Sequence, residues 1–132
     1  MTECRNRAVW ELAEAVRQHL EGHHTSYVEK CKDFIHKHYW EKITLRTAAS
    51  FLGISPEYLS RLFVQWEGIS FQHYLSEFRL EKAALLLRYS TDDIISISEQ
   101  VHFSSSSYFC KAFKRQYHMT PKQYRNVYQA LE

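Results

Sequence analysis

The sequence predicts an all-α fold: two three-helical, homeodomain-like units of the helix-turn-helix kind, joined by a long linking helix and preceded by an extra N-terminal amphipathic helix. Three observations predict it. Among 132 residues only three are Gly and two are Pro, and good helix formers abound. Apolar residues recur with a 3.6-residue period in one segment after another. The chain also repeats itself. Ala49, Leu52, Ile54, Tyr58, Leu59, Arg61, Phe63, Gly68, Ser70 and Tyr74 are echoed by Ser98, Val101, Phe103, Tyr108, Phe109, Lys111, Phe113, His118, Thr120 and Tyr124. The offset is 49 residues before the turn and 50 after it, so the second turn is one residue longer.

The elements follow in order. Val9, Leu12, Ala13, Val16 and Leu20 share one helical face, with Trp10 beside it, and the pattern stops at Gly22. Residues 1–24 therefore read as an N-terminal amphipathic helix and linker. Ser26 and Glu29 have capping-box spacing and open a helix over about 26–39, with Val28, Cys31, Phe34, Ile35 and His38 in period. Thr44 caps a short helix over 45–52 that buries Leu45, Ala48, Ala49 and Leu52. Gly53-Ile54-Ser55 is a tight turn. Ser55 is a good N-cap, and Pro56 suits the first position of a helix over about 56–67 with Leu59, Leu62, Phe63 and Trp66 inward.

Ser70 caps the longest helix, about 71–88, which carries Phe71, Tyr74, Leu75, Phe78, Ala83, Leu86 and Leu87. Ser90-Thr91-Asp92-Asp93 breaks it and caps a short helix with Ile94, Ile97 and Val101 inward. Ser104 reads as the N-cap of a helix over about 105–117, and Thr120-Pro121 opens a last helix to about Gln129. This divides the chain into the N-terminal helix and linker at 1–24, a first unit at 25–70, the linking helix at 71–89 and a second unit at 90–132.

Net charge is only +2, but it is unevenly spread. Between Glu99 and Glu132 there is no acidic residue, while Lys111, Lys114, Arg115, Lys122 and Arg125 fall there. A one-sided basic end attracts a polyanion whatever the total. Cys4, Cys31 and Cys110 are an odd number without paired spacing, which points to a reducing, cytoplasmic location. No run has the length of a membrane span, and no signal-peptide core is present. His19 and His23 lie one helical turn apart but lack a third ligand of matching spacing, so no metal is expected. The serines at 104–107 have no traceable base and orienting group, so neither catalysis nor a cofactor is expected.

A helix that enters a major groove keeps one face on its own core and leaves the other for base edges. In the helix from Pro56 the free face carries Glu57, Ser60, Arg61 and Val64. Its counterpart turns Ser106, Ser107, Cys110, Lys111 and Lys114 outward or to the edge. Arg61 and Lys111 are equivalent and both can donate to guanine O6 and N7; Glu57 can accept from a cytosine amino group. Capped helix N-termini at Thr44, Ser70 and Thr120 offer amides to phosphates, and Lys114, Arg115, Gln123 and Arg125 are further phosphate candidates. The linking helix, about 27 Å long at 1.5 Å per residue, suits two recognition helices in successive major grooves of double-stranded DNA, about 34 Å apart. A rival reading is a helical interaction module whose N-terminal stripe dimerises or docks on a partner.

These residues resemble the AraC/XylS family of bacterial transcription regulators. The resemblance covers about residues 27–127. It is carried by Ser55-Pro56-x-Tyr58-Leu59-Ser60-Arg61-x-Phe63, Gly68-x-Ser70-Phe71 and Arg79 in the first repeat. In the second it is carried by Ile94, Ile97, Phe103, Ser107-Tyr108-Phe109, Lys111, Phe113-Lys114, Thr120-Pro121, Tyr124 and Arg125. It implies two helix-turn-helix subdomains joined by a long helix, in a sequence-specific factor that is usually an activator contacting RNA polymerase. The family's base-reading positions fall on Glu57, Ser60, Arg61, Ser106, Ser107, Cys110 and Lys111. Family members commonly carry a separate sensing or dimerisation domain before this unit, and the extra helix favours a carboxy-terminal piece over a stand-alone regulator. The chain departs from the pattern at Ser98, His102 and His118, where the family usually has Ala and two Gly. A less stable second unit, or an altered second turn, is expected from that.

Overall fold

The computed structural model describes residues 26–130, and among them there are seven helices and no strand. The expected N-terminal helix, Cys4 and the His19–His23 pair lie outside the described residues. The first helix, α1, covers 26–38. It already includes Ser26, and Glu29 pairs with Lys32 at 3.0 Å. Then follow α2 (Leu45–Leu52), α3 (Pro56–Glu67), α4 (Phe71–Tyr89), α5 (Ile94–Gln100), α6 (Ser106–Tyr117) and α7 (Pro121–Ala130). No helix among the described residues is long and apolar enough to cross a membrane.

Local chemistry sets the boundaries. Thr44 and Thr47 form a reciprocal capping box on α2: each backbone N–H donates to the other's hydroxyl, at 2.8 and 3.1 Å. Ser55, Ser70 and Asp93 accept from the amides of Tyr58, His73 and Ser96, so α3, α4 and α5 begin where their caps predict. The start of α6 differs from the sequence expectation. Its cap is Ser105, whose Oγ accepts from Tyr108 N at 3.0 Å, and not Ser104. The cause is the extra residue in the second turn, which shifts the equivalent of Ser55 to position 105.

Two cores hold the helices together. The first gathers Val28, Cys31 and Ile35 of α1, Ala48 and Ala49 of α2, Leu59, Leu62 and Phe63 of α3, and Phe71 and Leu75 of α4. The second gathers Leu80, Ala83, Ala84 and Leu87 of α4 with Ile97, Val101, Phe109, Ala112, Phe113 and Tyr124. Helix α4 therefore completes one core with its first turns and founds the other with its last. At about 100° per residue, Phe71 and Leu75 lie on the opposite side of α4 from Leu80, Ala83, Ala84 and Leu87. Tyr39 packs against both clusters at the changeover.

Side chains from distant helices close helix ends. Arg79, only 8% exposed, donates from Nε to Tyr39 O at 2.8 Å and from Nη2 to Glu41 O at 2.9 Å. Burial lowers its pKa, yet an arginine remains protonated, and these carbonyls lie in the turn just after the C-terminal end of α1, where a cation is favoured. The C-terminal end of α4 is closed in the same way from α7. Gln129 lies 50 residues after Arg79, and its Nε2 donates to Leu87 O and Ser90 O at 3.1 and 3.3 Å.

The histidine substitutions sit where a left-handed backbone is required. Gly53 and Gly68 have φ of 77° and 80°, and their counterparts His102 and His118 have 61° and 63°. The second turn nevertheless keeps the hydrogen bond of the first: Phe103 N donates to Ser98 O at 2.9 Å, as Ile54 N does to Ala49 O at 3.1 Å. Ser98 fits the buried alanine position because its hydroxyl donates to Ile95 O at 2.7 Å.

Candidate nucleic-acid interface

The fold presents α3 and α6 in matching ways. In each, the first hydrophobic set is buried: Leu59, Leu62 and Phe63 in α3, and Phe109, Ala112 and Phe113 in α6. The faces left open also correspond, at an offset of 50 residues. Glu57, Ser60, Arg61 and Val64 in α3 stand where Ser107, Cys110, Lys111 and Lys114 stand in α6. Of these, Glu57, Arg61, Val64, Ser107, Lys111 and Lys114 are exposed, whereas Ser60 and Cys110 are half-buried. Ser106, at the first position of α6, is half-buried too.

Arg61 is steered along its helix. Its guanidinium carbon lies 5.8 Å from the ring centroid of Tyr58, one turn earlier, within reach of a cation–π contact. Glu57, Ser60 and Arg61 line a shallow depression of about 370 Å³ together with Pro56 and Leu45. The three residues expected to read bases in the first unit thus share one surface. In the second unit Cys110 packs partly against the core, and burial raises its thiol above the usual range, so it stays protonated at neutral pH.

The phosphate candidates fall into two groups. Thr44, Ser70 and Arg115 line one cleft of about 800 Å³, between the start of α2, the start of α4 and the turn that precedes α6. Lys42, His73, Arg79, His102 and Ser104 also line it, together with one carboxylate, Glu77. The second group surrounds the start of α7. Thr120 and Gln123 make a reciprocal capping box, with Thr120 N donating to Gln123 Oε1 at 2.9 Å and Gln123 N to Thr120 Oγ1 at 3.1 Å. That box occupies Oε1 of Gln123 and not its amide nitrogen.

Arg125 has a duty that sequence reasoning did not foresee. Its Nε donates to Leu87 O at 3.1 Å and its Nη2 to Ser90 O at 3.2 Å. Two of its three nitrogens therefore close the end of α4, a structural role beside the phosphate contact expected of it. The missed signal was the pairing of Arg79 with Gln129 across the repeat, which marks this stretch of α7 as a clamp on the preceding helix.

Residues 48–126 match the family model for a helix-turn-helix domain. Regulatory protein PocR of Salmonella typhimurium is 37% identical over 102 residues, 77% of this chain and 34% of its own length. The chain thus spans about a third of that relative. Among solved structures, the C-terminal domain of AraT, a response regulator from Geobacillus stearothermophilus, is 41% identical. The match has a TM-score of 0.73 and covers 76% of this chain and 84% of that one. The DNA-binding domain of AdpA, a global transcriptional factor solved with a target DNA, shares the fold at 23% identity. Its TM-score is 0.75, over 80% of this chain and 95% of that one.

Proposed function

This chain belongs to the AraC-type helix-turn-helix family of DNA-binding transcription regulators, and we propose that it reads two short blocks of one DNA duplex through successive major grooves, α3 in one and α6 in the next. The observation that carries this reading is the matched register of the two open faces. Two helices of 12 residues, each capped by serine, turn equivalent positions outward from cores built on one shared helix. That helix has 19 residues, about 28 Å at 1.5 Å per residue, a span that fits adjacent grooves with modest DNA bending.

Roles follow from side-chain chemistry. Arg61 and Lys111 donate to guanine O6 and N7, Arg61 as the better fork. Glu57 accepts from a cytosine amino group; Ser60, Ser106, Ser107 and Cys110 contribute short polar contacts. The cleft lined by Thr44, Ser70 and Arg115 receives the phosphate strand that runs between the two grooves. There the N-termini of α2 and α4 supply amides, and no acidic residue stands in the first turn of either helix. Lys114, Thr120, Gln123 and Arg125 take further phosphates.

Activation by contact with RNA polymerase is the output we assign. It rests on the family likeness, as do a site of action on the bacterial nucleoid and a sensing or dimerisation domain in the remaining part of a longer protein. The test is a single-base substitution scan of the bound site with Arg61→Ala and Lys111→Ala. Each is expected to lose about 1–3 kcal/mol on specific DNA and to relax one or two base pairs in a different block. Equal loss on every sequence would reduce both residues to phosphate contacts.

A further inference from the structure

The open face of α3 has a member that the roles above leave unused. Val64 is 47% exposed. It follows Glu57 by seven residues, Ser60 by four and Arg61 by three, so the four share one stripe of the helix. Three-helical readers of the homeodomain type present side chains to the major groove with this same i, i+3, i+4, i+7 spacing. Folding gives no strong reason for a valine there, because a β-branched residue is a poor helix former and about half of this one stays exposed. Isolated exposed apolar residues are common on protein surfaces. This one stands in a register otherwise filled by Glu57, Ser60 and Arg61, and its counterpart in α6 is the cation Lys114.

The 5-methyl of thymine is the apolar group that base edges offer in a major groove. We propose that Val64 is a fourth base-reading residue of α3, packing its methyl groups against the 5-methyl of a thymine one or two base pairs from the pair read by Arg61. The inference rests on the reading of α3 as a major-groove helix. It also separates the two units. At the position where α6 carries Lys114, and at the next, where it carries Arg115, α3 carries Val64 and Gln65. The first unit thus gives up electrostatic affinity for discrimination, and the second keeps it.

The test takes a duplex selected from a random library for tight binding and replaces each thymine of the block read by α3 in turn by deoxyuridine. This deletes the methyl and leaves every hydrogen-bonding group in place. The wild-type chain is expected to bind about fourfold more weakly at one position, the worth of one buried methyl group. Val64→Ala should lose a similar factor on the thymine duplex and become indifferent to deoxyuridine there. Val64→Lys, which copies the residue in α6, should be indifferent as well and show a steeper dependence on salt. Both changes lie on an exposed face and raise helix propensity, so folding is retained. The proposal is overturned by a first block without thymine, by no sensitive thymine, or by a Val64→Ala variant that keeps the wild-type sensitivity. In each of these cases Arg61→Ala still relaxes the first block if the reading of α3 is right. If Arg61→Ala relaxes nothing, α3 is not in the groove, and this proposal falls with that reading.

Discussion

Replacing Arg125 with alanine separates a cation that holds the fold as well as DNA from one that holds DNA alone. Its guanidinium makes two hydrogen bonds, at 3.1 and 3.2 Å, to the carbonyls of Leu87 and Ser90. Bonds from a charged donor contribute about 1.5–3 kcal/mol each when well formed and buried. Here both are long, the side chain is half-buried, and Gln129 donates to the same two carbonyls. The expected net cost is therefore about 1–2 kcal/mol, or about 4–8 °C in Tm for a domain of this size. Lys114→Ala is the contrast. Lys114 is exposed on α6, so its loss should leave Tm within about 2 °C and make the slope of log K against log salt shallower by about 0.9. Urea unfolding and binding titrations at several salt concentrations give both numbers for both variants. An Arg125→Ala chain with unchanged stability and a shallower salt slope would refute the clamp and leave Arg125 as a phosphate contact alone.

Other consequences follow from the same contacts. Arg79→Ala removes shorter bonds from a more buried group and strands the carbonyls of Tyr39 and Glu41, so it should cost about 3 kcal/mol or more by urea denaturation; a loss below that of Arg125→Ala would contradict the comparison. His102→Gly relieves a left-handed backbone at φ 61° and should leave the fold intact and raise stability by up to about 1 kcal/mol. A clear fall in Tm would mean that the imidazole makes a stabilising contact. The thiol of Cys31 is pushed up from 9.0 to about 12 by burial. Between those pH values the unfolded chain sheds a proton that the folded chain keeps, so this share of stability is intact below about pH 9 and is lost as pH rises towards 12. Cys31→Val should flatten the alkaline limb of the urea midpoint. The tyrosines 74, 117 and 124, also raised by burial, keep part of the slope. An unchanged limb would show that Cys31 ionises alike in both states.

Much of the fold was legible because capping chemistry is local. Thr44, Ser55 and Ser70 each announced a helix start by residue type and position, and α2 and α3 have the bounds that their caps and Gly53 and Gly68 imply. The second turn was harder. Four consecutive serines offered several caps, and only the offset of the repeat singles out Ser105. The open faces of α3 and α6 were legible because helical period fixes which side is free once the inner side is known. The clamps by Arg79, Arg125 and Gln129 were not, because they join residues 35 to 42 positions apart. No periodicity encodes a contact at that range. The cleft that gathers Thr44, Ser70 and Arg115 was hidden for the same reason: it exists only once two units are fixed on opposite sides of α4.

One chain is expected to read two blocks. Selection from a random duplex library, with the mass of the resulting complex measured, tests it most directly. The expected result is an enriched site with two short blocks about one helical turn apart, bound by one chain per duplex and lost when five base pairs are inserted between the blocks. A single enriched block, or two chains on every bound duplex, would contradict it.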